Sequence, residues 1–379
     1  MRTGHNSPTR KRLRFVLLMG AWLACTLCLQ AAWAGTVQYV IQVSVDGLRP
    51  DAITTLGPSN VPNFYRLRDE GAFTDNARAD YDNTETLPNH CTVLTARGVI
   101  GVGGNGHMWT SNSDPAPGQT LHTNKGSYVA GVFDVVHDNG LRTGLYASKT
   151  KFSLFDVSWN ATNGAPDTIG EDNGRDKLDV YLYNYTNNST ATLTSSMISA
   201  MNANPFNYVL LHLTEPDTVG HSSGWMSTAY LNAVKTMDQR LGALFNLIEN
   251  NPTLNGRTAL IVSSDHGGTG TGHGDATNRL NYTIPFYVWG PGVLAGADLY
   301  DLNEETRLDP GTGRPNYAAA IQPIRHGDGV NLALQLLGLG PIPGSSINAS
   351  QNLIVPEPTS LVLVGFGMMG VMMRLRRKG

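Results

Sequence analysis

Three acidic and histidine-bearing motifs and one hydroxyl carry the chemistry of this chain. Val45-Asp46-Gly47 lies early and Pro216-Asp217-x-x-x-His221 in the middle. Ser264-Asp265-His266-Gly267 follows, then Gly272-His273-Gly274. Thr86, in Thr86-Leu87-Pro88-Asn89-His90, adds the hydroxyl. Asp46, Asp217, Asp265, His221, His266, His273 and Thr86 make about the set that two divalent ions need, at roughly three to four protein ligands per ion. Asp217 and His221 are spaced i, i+4, which puts both on one face of a helical turn. Asp265 and His266 would point apart within a strand, but both can turn toward one ion at a strand-to-loop corner. His273 has an ordinary reading as an exposed loop histidine; in this company it is a ligand candidate. A free hydroxyl is a poor nucleophile at neutral pH and Thr86 has no dedicated base beside it, so activation by a metal ion is expected. Pro88 pre-sets a helix start whose N–H groups would face an anion. A Thr N-cap is compatible with that role.

The elements that must deliver these groups are legible. Tyr39 to Val45, Asn207 to Leu213, Ala259 to Ser263 and Ile284 to Trp289 read as buried strands. Val61 to Glu70, Pro88 to Thr95, Gly131 to Asn139, Ser195 to Asn202, Ala229 to Asn250 and Val330 to Leu337 read as helices. Alternating strands and helices predict an α/β fold with a large, mostly parallel sheet covered by helices on both faces. Asp46, Asp217 and Asp265 each sit at or just past the carboxyl end of an apolar strand, where such sheets bind ligands. Carboxylates delivered to one sheet edge repel one another without cations between them. The irregular segment 140–190, with Lys149 and Lys151, reads as an insertion that caps the site or as a plain surface excursion.

Both ends read as addresses. Arg10, Lys11, Arg12 and Arg14 precede an apolar run from Phe15 to about Leu29, and Ala32-Trp33-Ala34 offers a cleavage site. Residues 1–34 are therefore expected to be a secretory signal peptide. A lipoprotein signal around Cys25 is disfavoured by Trp22. Residues 35–352 would form the catalytic domain. In 353–379, Pro356-Glu357-Pro358 precedes an apolar stretch from about Leu361 to Met373 and then Arg374, Arg376, Arg377 and Lys378. The run is shorter than the roughly 20 residues that span a bilayer comfortably. Its order resembles the PEP-CTERM sorting signal of Gram-negative bacteria. That resemblance implies an exosortase-type partner, transient membrane contact through a transmembrane helix, removal of the tail and display outside the cell. Of the three cysteines only Cys91 follows the signal peptide, so no intramolecular disulfide is expected. A net charge of −3 and a pI near 6.4 argue against a stable nucleic-acid partner.

The ordered set from Asp46-Gly47 through Thr86, Asp217, His221, Asp265-His266 and His273 to Gly290-Pro291-Gly292 resembles the alkaline phosphatase superfamily. Within it, the pattern is most similar to nucleotide pyrophosphatase/phosphodiesterases. The resemblance implies two zinc ions, with manganese an acceptable substitute for such N/O ligands. Asp217, His221 and His273 would hold one, and Asp46, Thr86, Asp265 and His266 the other. Thr86 would attack phosphorus in line to give a phosphothreonine that water hydrolyses. Asn112, five residues past His107, matches the phosphate-contacting Asn of the diesterase branch, although Gly101 to Gly106 look like a short insertion. The implied substrate is a small phosphodiester or nucleotide-like molecule.

Three alternatives stand beside this reading. His326, in Arg325-His326-Gly327-Asp328, rivals His273 as third histidine ligand. A phosphomonoesterase or phosphonate hydrolase would use the same residues. A non-catalytic surface matrix protein would use the metal only structurally. A sulfatase needs Cys-x-Pro-x-Arg or its serine form, and Cys91-Thr92-Val93-Leu94-Thr95 lacks the Pro and Arg.

Overall fold

The computed structural model of the chain describes residues 37–355. The expected signal peptide, the Pro-Glu-Pro motif, the apolar run and the basic tail lie outside the described residues. Among the described residues no helix is long and apolar enough to cross a membrane, so the expected transmembrane helix has no counterpart there.

Among the described residues eight strands form one sheet: β1 (Tyr39–Val45), β2 (Ala72–Arg78), β3 (Thr143–Ala147), β4 (Val180–Tyr183), β5 (Tyr208–Leu213), β6 (Thr258–Ser263), β7 (Thr283–Trp289) and β8 (Ala297–Asp298). Their order is β4-β3-β5-β1-β6-β7-β2-β8. The run from β4 to β6 is parallel throughout, and β7 pairs antiparallel with both β6 and β2. The central strands are buried on both faces, which is why they read as unbroken apolar runs. Alternation within β1 separates the two layers: Val40 joins one core, and Ile41, Val43 and Val45 the other.

One core is completed by Leu87, Cys91 and Leu94 of the helix Thr86–Thr95, with Val132 to Val136 and Val330 to Leu334. The other is completed by Phe64, Met197 and the long helix Thr228–Asn250. Ser227 caps that long helix by accepting from the Tyr230 N–H, and Val234, Met237, Leu241 and Leu244 bury one stripe of it. Each such side chain contributes about 1.5–3 kcal/mol on burial.

The segment 140–190 is more than an excursion. It supplies β3 and β4, with β3 paired directly to β5. What lies outside the sheet is the crossover between these two strands, and its first residues carry Lys149 and Lys151.

Candidate active site

The three central strands β5, β1 and β6 end at one edge, and each hands over an aspartate. Asp46 follows β1 directly. Asp265 follows β6. Asp217 sits in the first turn of the helix Glu215–Ser223 that leaves β5. Gly47 makes this edge possible. Its φ is +71°, and a Cβ there would stand 3.0 Å from the Asp217 Cα. The Gly47 carbonyl accepts from Trp225 Nε1 and from the Tyr230 hydroxyl, each at 2.9 Å, which fixes the turn. Gly268 matters for a different reason: a Cβ there would lie 2.0 Å from the Trp225 ring.

The side chains gather into two groups. Asp217, His221 and His273 form one, and Asp46, Asp265 and His266 the other; within each group the ligand atoms lie within 4.8 Å of one another. Thr86 Oγ1 is 3.4 Å from His266 Nε2. Thr86 is the first residue of its helix and Glu85 takes the N-cap position, so the N-cap role expected for Thr86 does not hold. His326 is fully buried and belongs to neither group.

The donor atoms point inward in a consistent way. His221 Nδ1 meets the Thr271 carbonyl at 2.9 Å, His273 Nδ1 the Thr84 carbonyl at 2.6 Å and His266 Nδ1 the Gly267 carbonyl at 2.8 Å. A carbonyl only accepts, so each Nδ1 carries the proton and each Nε2 is left to face the centre. His221 Nε2 and His273 Nε2 are 3.0 Å apart, a contact two lone pairs do not sustain without a cation. Within these two groups three buried carboxylate oxygens have no hydrogen-bond partner: Asp46 Oδ1, Asp217 Oδ1 and Asp265 Oδ2. Each of the three faces an Nε2: Asp46 Oδ1 and Asp265 Oδ2 lie 3.3 Å from that of His266, and Asp217 Oδ1 3.3 Å from that of His221. Buried and unpaired, such atoms cost free energy unless a cation answers them. The mixed N/O set fits zinc and accepts manganese.

Electrostatics agree with that demand. Burial, then the charge of Asp46, push Asp265 up to about 8. Burial would lower His266, but Asp265 and then Asp46 overcome it and raise the ring to about 9. Positive charge is wanted at this position, and a divalent ion would supply it there. Burial alone would raise Asp46; Lys149, then His212 and His266, hold it well below the usual carboxylate range.

Asn112 is half-buried beside the start of the Thr86 helix. Its Oδ1 accepts from the Leu87 N–H and from Lys151 Nζ, both at 3.0 Å. It thereby satisfies one of the donors that a helix start leaves free.

Sequence reasoning missed a second ring of groups. Lys149 Nζ is 2.7 Å from Asp46 Oδ2 and from Asp217 Oδ2, and 3.2 Å from Thr86 Oγ1. His212 Nε2 meets Asp46 Oδ2 at 3.0 Å while the Ser148 N–H faces its Nδ1. His90 joins the Thr86 carbonyl at 2.7 Å to Ser44 Oγ at 2.8 Å. The usable signal was His212 itself, a histidine one residue from the end of a fully buried strand. A third acidic group, His137, Asp138 and Asp167, is already filled by the buried ammonium of Lys177.

The family model described as type I phosphodiesterase / nucleotide pyrophosphatase matches residues 40–299, and the PEP-CTERM protein-sorting motif matches residues 355–378. Ectonucleotide pyrophosphatase/phosphodiesterase family member 3 of Mus musculus is 25% identical over 261 residues, or 65% of this chain and 26% of that protein. GPI ethanolamine phosphate transferase 1 of Mus musculus is 27% identical over 175 residues, or 44% of this chain and 19% of that protein. The matched stretch thus spans no more than about a quarter of these relatives. The structure of murine ectonucleotide pyrophosphatase/phosphodiesterase 5, as an inactive variant in complex with AMP, aligns with a TM-score of 0.55 at 17% identity. The alignment covers 84% of this chain and all 100% of that one. A 2-O GAG sulfatase aligns with a TM-score of 0.54 at 12% identity, covering 82% and 72%. At these identities the structural likeness speaks for the fold.

Proposed function

The chain belongs to the type I phosphodiesterase / nucleotide pyrophosphatase family, and from that premise we propose that it is an exported two-cation hydrolase that cleaves phosphodiester or pyrophosphate bonds through a phosphothreonine on Thr86. The observation that carries this reading is the inward convergence of three His Nε2 atoms and three unpartnered carboxylate oxygens beside one threonine hydroxyl. Asp217, His221 and His273 would hold one ion; Asp46, Asp265, His266 and Thr86 the other. When bound, the cations would lower the pKa of the Thr86 hydroxyl and offset charge on the leaving oxygen.

The chain's own residues do the rest. Thr86 Oγ1 bonds to phosphorus as the bond to the leaving oxygen breaks. Water then cleaves the threonine ester and restores the hydroxyl. Burial of Thr86 on a packed helix fixes the approach of its oxygen, and such positioning is worth several kcal/mol of barrier. With its Oδ1 occupied, Asn112 presents its amide N–H groups as donors for a phosphate oxygen. Zinc suits the ligand set best, with manganese as a working substitute.

The same reading assigns residues 1–34 to a signal peptide, 35–352 to the hydrolase domain and 353–379 to the sorting segment. The sorting motif supports an exosortase-type partner, transient membrane contact and display at the surface of a Gram-negative cell. The family supports a small phosphodiester or nucleotide-like substrate. A second reading, monoesters or phosphonates, is favoured by one observation: Lys151 places an ammonium on Asn112, where extra substrate charge would be met. The test is turnover of bis-nitrophenyl phosphate against nitrophenyl phosphate, with and without chelator. Dominant diester turnover that chelation removes is expected. Dominant monoester turnover shifts the reading to phosphatase. No turnover of either, with metal retained, makes the site structural.

A further inference from the structure

Each of the three aspartates has an inner and an outer oxygen. Asp46 Oδ1, Asp217 Oδ1 and Asp265 Oδ2 are the inner ones, buried and unpartnered. The outer oxygens are engaged. Asp265 Oδ1 accepts from the Gly47 and His266 N–H groups at 3.1 and 3.0 Å, both within its own cluster's loops. Asp46 Oδ2 and Asp217 Oδ2 meet the same partner, the ammonium of Lys149, at 2.7 Å each. These two acids belong to different clusters.

The ammonium has three N–H donors. Hydrogen bonds go to Asp217 Oδ2 and to Thr86 Oγ1 at 3.2 Å, and the ion pair with Asp46 Oδ2 takes the remaining side, so the ammonium is turned to the protein's own oxygens. Lys149 stands two residues past the end of β3, on the strand beside β5. Its neighbour Ser148 bonds His212, which in turn holds Asp46 Oδ2. The corner after β3 therefore braces the site from outside while the inner oxygens stay open.

We propose that Lys149 is a positioning residue that ties the two cation clusters together, by bridging the outer oxygens of Asp46 and Asp217 and holding the Thr86 hydroxyl between them. His212 braces the Asp46 cluster alone. The proposal rests on the two-cation reading above. Groups that orient metal ligands from behind typically change metal affinity or activity by about 10–100-fold when removed.

The test uses the full chain loaded with cobalt(II), whose visible band reports ligand geometry, and the substitutions Lys149→Met and His212→Gln. Wild-type protein that takes up no cobalt overturns the two-cation reading itself. Given two bound ions, Lys149→Met should shift the substrate-free band and speed release of both ions to a chelator by about 10–100-fold. It should also lower kcat with little change in KM. His212→Gln should speed release of one ion only, which keeps the comparison available if Lys149→Met folds poorly. An unchanged band, unchanged or slower release, and a rise in KM alone would overturn the proposal and make Lys149 a substrate-binding cation. Faster release of both ions in His212→Gln would contradict the division of labour equally.

Discussion

The imidazole rings of His266 and His273 stack face to face, with centroids 3.7 Å apart and planes 12° apart. His266 belongs to the Asp46 cluster and His273 to the Asp217 cluster. The two clusters thus share a partition of two rings, and Trp225 packs edge-on against His273 and His221 from outside.

Removing one ring should empty one cluster. His273→Ala is expected to lose one ion equivalent by elemental analysis and to keep the other. His326→Ala, fully buried and outside both groups, should keep both ions and cost stability, about 1–3 kcal/mol for a truncated core side chain. An ion lost from His326→Ala and not from His273→Ala would reverse the ligand assignment.

Thr86 is separable from the metal set because Asp46, Asp265 and His266 would still serve the proposed ion. Thr86→Ala should retain two ions per chain while turnover of a nitrophenyl diester falls by roughly 10³-fold or more. Near wild-type turnover would remove Thr86 from the reaction.

Asn112 caps the Leu87 N–H, and in the proposed reaction it would also donate toward phosphate. Asn112→Ala should cost about 1 kcal/mol in thermal unfolding from the lost cap. Loss of one oriented donor should lower diester kcat by about 10²–10³-fold. A stability loss with unchanged kinetics would leave only the cap.

Gly47→Ala tests the corner that brings Asp46 and Asp217 together. The left-handed φ costs about 1–2 kcal/mol for a residue with a Cβ, and that Cβ presses on the Asp217 backbone at 3.0 Å. Lower thermal stability is expected, with weaker binding of the ion held by Asp217. Unchanged values for both would show that the corner relaxes freely.

Acid stability should depend on His107. Burial, then the charges of Lys125 and Arg97, depress this ring to about 3. Its Nδ1 accepts from the Trp109 N–H at 3.0 Å and its Nε2 faces Thr92 Oγ1 at 3.1 Å, a pattern that requires the neutral ring. The unfolded chain binds the proton near pH 6.5, so the folded state gains from neutral His107 above that pH and loses the gain as pH falls toward about 3. The slope is up to about 1.4 kcal/mol per pH unit for one proton. His107→Gln should flatten the unfolding free energy across that window by one proton; an unchanged slope would contradict the assignment.

Much of the fold was legible because the central strands are buried on both faces and therefore uninterrupted in hydropathy. β1, β5, β6 and β7 were readable for that reason, and so was the long helix ending at Asn250, with its regular apolar stripe. β2 was hidden by Thr74, Asp75 and Asn76, where its pairing with β7 shifts register. β4 was hidden because it is only half-buried, and β3 because it is short and carries Gly144. The ligand candidates were readable as local motifs next to strand ends. Lys149 was not, because a group that braces another side chain leaves no spacing rule; His212 left only its place near the end of a buried strand, and the folded geometry sets Ser148, Lys149 and His212 behind Asp46.

The most direct measurement is anomalous diffraction at the zinc absorption edge from crystals of the zinc-loaded chain. Two peaks are expected. One should lie within about 2.0–2.2 Å of Asp217, His221 and His273, and the other equally close to Asp46, Asp265, His266 and Thr86. A single peak, or zinc bound away from these side chains, would contradict the two-cation centre on which the proposed hydrolysis depends.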